Sequence, residues 1–248
     1  MADYVWQPTP EMIEQANITR LMRALKPEMD PRQFVRWSQQ NVAEFWDAAL
    51  KDMEMAWYTP YQTTLDASRG NAWADWFIGG ETSIALNCVD RHANSDAKAL
   101  IAETEDGRTR EFTFIELAEN VGRVANALKQ LGVVRGDTVA CYMPMVAEVV
   151  FAMLATQKIG AIFIPIFSGY APPAVRERLE DAGVKVLFTA DGSMRRGKGI
   201  ELKPQADAAI EGLPELKHTI VYRRIGGDLA CPMTEGRDHW WHEIVDSQ

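Results

Sequence analysis

The 248-residue sequence has little cysteine, little positive charge and no long apolar run. Its three cysteines, Cys88, Cys141 and Cys231, are far apart and odd in number. That usage builds no disulfide framework and has no zinc-site spacing; it suits reduced thiols in a cytoplasmic protein. Lysine and arginine total 26 against 35 acidic residues, a net charge of -9. Polyanion binding needs a basic face, so nucleic acid is not an expected partner. No apolar stretch approaches the length of a membrane span. The opening MADYVWQPTP lacks the basic and apolar regions of a secretory signal. No membrane partner is expected. There is no internal repeat and no low-complexity tract. What remains is an ordinary globular composition, 47% hydrophobic and 25% charged, in a chain long enough to bury a sizeable core.

The organising stretch runs from Asp137 to Lys203. TVACYMPM, AIFIPIF and VKVLFTA are short apolar runs, separated by VAEVVFAMLATQKIG and a polar helical segment from Pro172 to Ala182. That alternation predicts βαβ units and an α/β fold with a mostly parallel sheet flanked by helices. Ligands of such open sheets bind beyond the carboxyl ends of the strands. Three segments belong on that edge: Met143-Pro144, Phe167-Ser168-Gly169, and the loop from Ala190 to Lys198.

Ahead of this stretch, residues 9–25 read as a helix capped by Thr9, with Pro10 in its first turn. A second helix begins at Asp30-Pro31 with Gln33 at the capping-box position and runs on through Phe34, Trp37, Phe45, Trp46 and Leu50. Residues 56–80 show no periodicity and read as an aromatic-rich wrapping segment. Residues 1–82 are therefore expected to form a helical N-terminal extension, and 83–248 an incomplete α/β part of a larger domain. SIALNCVDR reads as a helix. KALIAET and TREFTF flank Asp106-Gly107, a hairpin signal. Thr113 and Glu116 form a capping box for a helix that stops at Gly132. Beyond the loop, Lys203 to Gly212 reads as a helix, His218 to Tyr222 as a strand, and GRDHWWHEIVDSQ as a short amphipathic piece.

Three places could carry chemistry. Gly192-Ser193-Met194-Arg195-Arg196-Gly197-Lys198-Gly199 nearly matches a phosphate loop, but Gly199 replaces the magnesium-binding hydroxyl and no helix starts at the Gly-Lys. A basic loop gripping a phosphate through Arg195 and Lys198, or a merely solvated loop, are the other readings. Phe167-Ser168-Gly169-Tyr170 is either a ligand platform, glycine allowing close approach, or a plain turn. His239 and His242 could pair on a metal, or pack within a Trp-rich segment. No serine or cysteine nucleophile motif appears, and no catalytic residue is assigned.

The residues also carry a resemblance. NITRLMR, WSQQNVAEFWDAAL and WFIGGETSIALNCVDRH, then GVVRGDTVACYMPMVAEVVFAMLATQKIGAIFIPIFSGYAPPAVRERLEDAGVKVLFTADG, RRGKGIELK and GRDHWWHEIV, resemble the N-terminal part of AMP-forming acyl-CoA synthetases. The likeness is to the acetyl-CoA and acetoacetyl-CoA synthetase branch of the adenylate-forming superfamily. It implies a ligase that uses ATP and Mg²⁺ to convert a short carboxylate to an acyl-adenylate, then passes the acyl group to CoA. In that branch an aromatic-Gly-Gly turn and two basic residues around a short loop contact the nucleotide end of CoA. Here those positions fall on Phe167, Ser168 and Gly169, with serine for the first glycine, and on Arg195 and Lys198, with lysine for the second arginine. The family's phosphate-wrapping loop, later adenine motifs and catalytic lysine have no counterpart here. The resemblance therefore implies an N-terminal fragment, inactive alone, whose exposed apolar surface would favour a homo-oligomer. The alternative is a stand-alone, non-catalytic CoA- or nucleotide-binding module.

Overall fold

The computed structural model describes residues 5–105, 107–227 and 229–248. The chain divides into two compact units, Met1–Thr82 and Ser83–Gln248. The first contains α1 (Pro10–Gln15), α2 (Asn17–Leu25), α3 (Pro31–Gln40), α4 (Val42–Asp52), β1 (Thr63–Asp66) and β2 (Asp75–Ile78). Each of the two expected helices is broken once. Ala16 is extended between α1 and α2. α1 buries nothing, whereas α2 buries Thr19 and Leu21, so the break separates a solvated turn from a packed helix. Asn41 interrupts the second helix, its amide donating to the Trp37 carbonyl at 3.0 Å. Such a local side-chain bond competes with helix continuation. The capping box of Asp30 and Gln33 forms as expected.

Residues 56–80 are more ordered than their sequence suggests. β1 and β2 pair antiparallel, with Leu65 opposite Trp76. The signal is hidden because each strand is only four residues long and Trp76 and Phe77 put aromatics on both faces of β2. Trp57, Tyr61 and Phe77 cluster with ring centroids 5.0 to 5.7 Å apart. Gly80 lies beneath them, where a Cβ would come within 2.7 Å of the Trp57 ring.

The second unit opens with α5 (Ile84–Cys88), shorter than the helix read from SIALNCVDR, followed by a 3-10 turn over Asp90–His92. The hairpin β3 (Lys98–Glu103) and β4 (Thr109–Thr113) follows, then α6 (Phe114–Gln130). Of the expected hairpin turn, Asp106 lies outside the described residues, and Gly107 has φ +78°. Thr113 and Glu116 cap α6 reciprocally. The core then alternates β5 (Thr138–Cys141), α7 (Ala147–Lys158), β6 (Ile162–Pro165), α8 (Pro172–Asp181) and β7 (Val186–Ala190). The hairpin β8 (Gly192–Arg195) and β9 (Lys198–Glu201) comes next, then α9 (Lys203–Ile210), β10 (His218–Tyr222), β11 (Asp238–Trp240) and α10 (Trp241–Ile244).

Five strands form one sheet in the order β11-β10-β7-β5-β6, every pair parallel. Both faces of β5 and β7 are covered, so these strands are apolar without a polar alternate face. Val139, Cys141, Val186, Phe188 and Ile220 pack on one side with residues of α6, α7 and α10. Ala140, Tyr142 and Leu187 pack on the other with Val175 and Leu179 of α8 and Ala206 and Ile210 of α9. The two-residue period divides each strand between two cores. α7 is buried almost all round, as its sequence requires.

The Trp-rich tail, read as a short amphipathic piece, divides into the strand β11 and the helix α10. β11 extends the sheet, with His239 beside Ile220. An ionic cluster fastens it. Lys203, fully buried, places Nζ 2.7 Å from both Asp207 oxygens, 2.8 Å from Asp238 and 2.9 Å from the Pro232 carbonyl. Arg237 bonds Asp207 and Asp238 in turn. Burial opposes the Asp238 charge, yet bonds from Arg237 and Lys203 hold its pKa down at about 2.

Candidate functional site

The chain leaves β5 for β6 on one side and later returns to β7 on the other. β5 and β7 therefore flank the point where strand order reverses, and their carboxyl ends border the crevice typical of such sheets. β6 and β7 lie one strand to either side of β5, so their ends are separated by roughly 10 Å, two strand spacings. All three expected segments reach this edge. No hydrogen bond or ring contact joins the turn after β6 to the hairpin after β7 among the described residues.

After β6, the Tyr170 amide donates to the Phe167 carbonyl at 3.0 Å and closes a tight turn. The buried Tyr142 hydroxyl, projecting from the end of β5, donates to the Tyr170 carbonyl at 2.8 Å and holds the turn against the sheet. The Phe167 ring is 69% exposed and meets Tyr170 edge-on, centroids 5.6 Å apart. A Cβ at Gly169 would sit 2.5 Å from the Phe167 ring, so glycine lets the exposed ring lie close over the backbone in this position. The turn thus presents an exposed aromatic face next to bare backbone, with Ser168 half-buried between them.

The segment after β7 is where the sequence reading needs correction. It is a β-hairpin, with Arg195 directly opposite Lys198. Arg196 and Gly197 form the two-residue loop, at φ +52° and +74°. Both left-handed values match the loop geometry that suits the twist of paired strands. A phosphate loop needs a helix amino terminus at Gly197-Lys198; Lys198 instead begins a strand, so that reading fails. Residues opposed across a pair of strands share a face, with Cβ atoms about 5 Å apart. Two cations held so close are destabilising unless an anion joins them. Arg195, Arg196 and Lys198 are exposed and form no ion pair among the described residues.

Asp191, which links β7 to the hairpin, gave no signal in the sequence. It is 2% exposed, and its carboxylate accepts bonds from the amides of Gly192, Arg224, Ile225 and Gly226. An aspartate at a strand end looks like any other; only the return of the 224–226 loop reveals its role.

The histidines do not form a pair on one helix. His239 lies in β11, its Nε2 3.1 Å from His218 Nδ1, and His242 lies in α10 against Trp240. Burial and the neighbouring His239 push the His218 pKa down. Among the described residues no group of three or more His, Cys, Asp or Glu side chains could hold a metal. Burial drives the Cys141 thiol up to about 12 and Cys231 to about 11, which removes both as nucleophiles at neutral pH. No helix among the described residues is long and apolar enough to cross a membrane.

Comparison with known proteins agrees with this geometry. Residues 89–244 match the family model "AMP-binding enzyme", and residues 32–88 match "Acetyl-coenzyme A synthetase N-terminus". The chain is 43% identical over 207 residues to an acetyl-coenzyme A synthetase of Gemmatimonas aurantiaca, covering 81% of this chain and 31% of that protein. It is 38% identical over 247 residues to one of Methanothrix thermoacetophila, covering 97% and 36%. An acetoacetyl-CoA synthetase structure from Streptomyces lividans superposes with a TM-score of 0.86 at 26% identity, covering 97% of this chain and 37% of that one. The chain thus spans about a third of the length of these relatives. The family model covers residues 89–244, more than half of the chain, and the fold agrees with it: this chain belongs to the family of AMP-binding enzymes.

Proposed function

We propose that this chain supplies the CoA-nucleotide contacts of an AMP-forming acid–CoA ligase. In that reaction a carboxylate oxygen attacks the α-phosphorus of ATP and pyrophosphate leaves. The thiol sulfur of CoA then attacks the acyl carbon, gives up its proton, and AMP leaves. The substrates are small molecules: a short carboxylic acid, ATP and CoA. Mg²⁺ would accompany ATP; no cluster of three or more His, Cys, Asp or Glu side chains among the described residues is placed to hold it. The three unpaired cysteines support a cytoplasmic setting.

The observation that carries this reading is the opposed pair Arg195 and Lys198 on a hairpin beside the sheet's carboxyl edge, with no acidic partner among the described residues. Arg195 offers a fork and Lys198 a point charge to the terminal 3′-phosphate of CoA. Phe167, Ser168 and Gly169 form the platform for the nucleotide's ring and sugar. These groups act at the opposite end of CoA from its thiol. They bind equally in ground and transition states, and so lower KM without changing kcat.

The test is calorimetric titration of the chain with CoA, dephospho-CoA and ATP. Loss of a charge-assisted contact costs about 1.5–3 kcal/mol, so Arg195→Ala should weaken CoA roughly 10- to 150-fold and dephospho-CoA far less. Equal affinity for CoA and dephospho-CoA in the unsubstituted chain would refute the assignment.

A further inference from the structure

Asp191 holds both ends of the basic hairpin. Its Oδ1 accepts the Gly192 amide, where β8 begins, at 2.7 Å. Its carbonyl accepts the Leu202 amide, just past β9, at 3.0 Å. The same carboxylate collects the amides of Arg224 at 2.8 Å and Gly226 at 2.7 Å, and Ile225 reaches both oxygens. The hairpin is therefore attached at one buried point to the end of β7 and to the loop after β10. No lysine or arginine side chain bonds this carboxylate among the described residues; main-chain amides satisfy it. Packing leaves the base little freedom. A Cβ on Gly192 would come within 2.5 Å of the Leu229 side chain and 2.9 Å of the Ile200 carbonyl.

We propose that Asp191 is a positioning residue for anion recognition: it aims the hairpin so that Arg195 and Lys198 meet a phosphate together. The inference rests on the reading of those two residues as the CoA-phosphate site. Asp191 touches no ligand and acts through the hairpin's direction. Four amides converging on one carboxylate set that direction more rigidly than a two-stranded ribbon could alone.

The experiment measures the affinity of the 248-residue chain for CoA and dephospho-CoA in four forms: unsubstituted, Asp191→Asn, Arg195→Ala and the double variant. Asparagine keeps one acceptor oxygen but turns an NH₂ toward the Gly226 amide, so the variant retains its core while the anchor loosens. Thermal unfolding and amide NMR spectra report whether it stays folded. Asp191→Asn should weaken CoA about tenfold and reduce the preference for CoA over dephospho-CoA by the same factor. The double variant should lose less than the product of the two single losses, because Asp191 works through Arg195 and Lys198 and only the Lys198 contact is left for it to aim. A purely structural Asp191 would lower the melting temperature and leave the CoA preference intact; that result overturns the proposal. Losses that multiply in the double variant overturn it too. Failure of the phosphate-site reading looks different: Arg195→Ala would then leave CoA binding unchanged.

Discussion

Lys203→Met tests whether the buried ionic cluster fastens β11 to the sheet. Lys203 is fully enclosed and makes bonds of 2.7 to 2.9 Å to Asp207, Asp238 and the Pro232 carbonyl. Methionine fills much the same volume, so packing changes little and the effect is electrostatic. Removing one partner of a buried pair costs about 3–5 kcal/mol, because a charge is left without compensation. Arg237 still bonds both carboxylates, which puts the loss at the lower end, about 3 kcal/mol. With a urea slope of about 2 kcal/mol per molar, the unfolding midpoint should fall by about 1.5 M. Hydrogen exchange at the β11 amides should accelerate before that in the central strands.

The same variant has a pH signature. The Asp238 pKa is lowered from 3.8 to about 2 on folding. A depressed carboxylate contributes stability that is complete above its unfolded pKa and lost as pH falls through the folded one. That contribution, about 2.5 kcal/mol, should fade between pH 4 and pH 2 in the unsubstituted chain. Without Lys203 the folded pKa rises toward the unfolded value, and the acid dependence in this window shrinks. An unchanged urea midpoint together with an unchanged acid limb would refute the assignment of β11's anchorage to this cluster.

Gly192→Ala should destabilise by about 1–3 kcal/mol, since the added methyl meets the Ile200 carbonyl at 2.9 Å; thermal unfolding measures this. Arg196→Asn places a residue suited to the left-handed loop position and should hold or raise the melting temperature, while CoA affinity, set by Arg195 and Lys198, stays within about threefold. A thiol-reactive dye at pH 8 should label exposed Cys88 rapidly in the native chain, Cys231 slowly, and Cys141 only on unfolding.

The central fold was legible because it depends on patterns local to the chain. The apolar runs at 138–141, 162–165 and 186–190 had to be strands of one parallel sheet, and a helix apolar on nearly every side had to lie against it. Thr113 with Glu116, and Asp30 with Gln33, announced their helix starts through bonds spanning three residues. The strand-edge location of Phe167 and Arg195 followed from their place just after predicted parallel strands.

What stayed hidden depended on distant partners. β11 is three residues long, too short for any period, and exists because β10 offers it an edge. The β8–β9 hairpin places arginine where asparagine is the usual signal, so it read as a loop. Lys203 and Asp191 look in sequence like surface charges. Burial gives each its meaning: Lys203 among carboxylates from α9 and β11, Asp191 among amides returned from a loop more than thirty residues away. Local pattern determines which elements form, because capping and periodicity act over a few residues. Only tertiary structure decides which charges are buried, which cations face each other and what holds them there, because those depend on segments that meet in space alone.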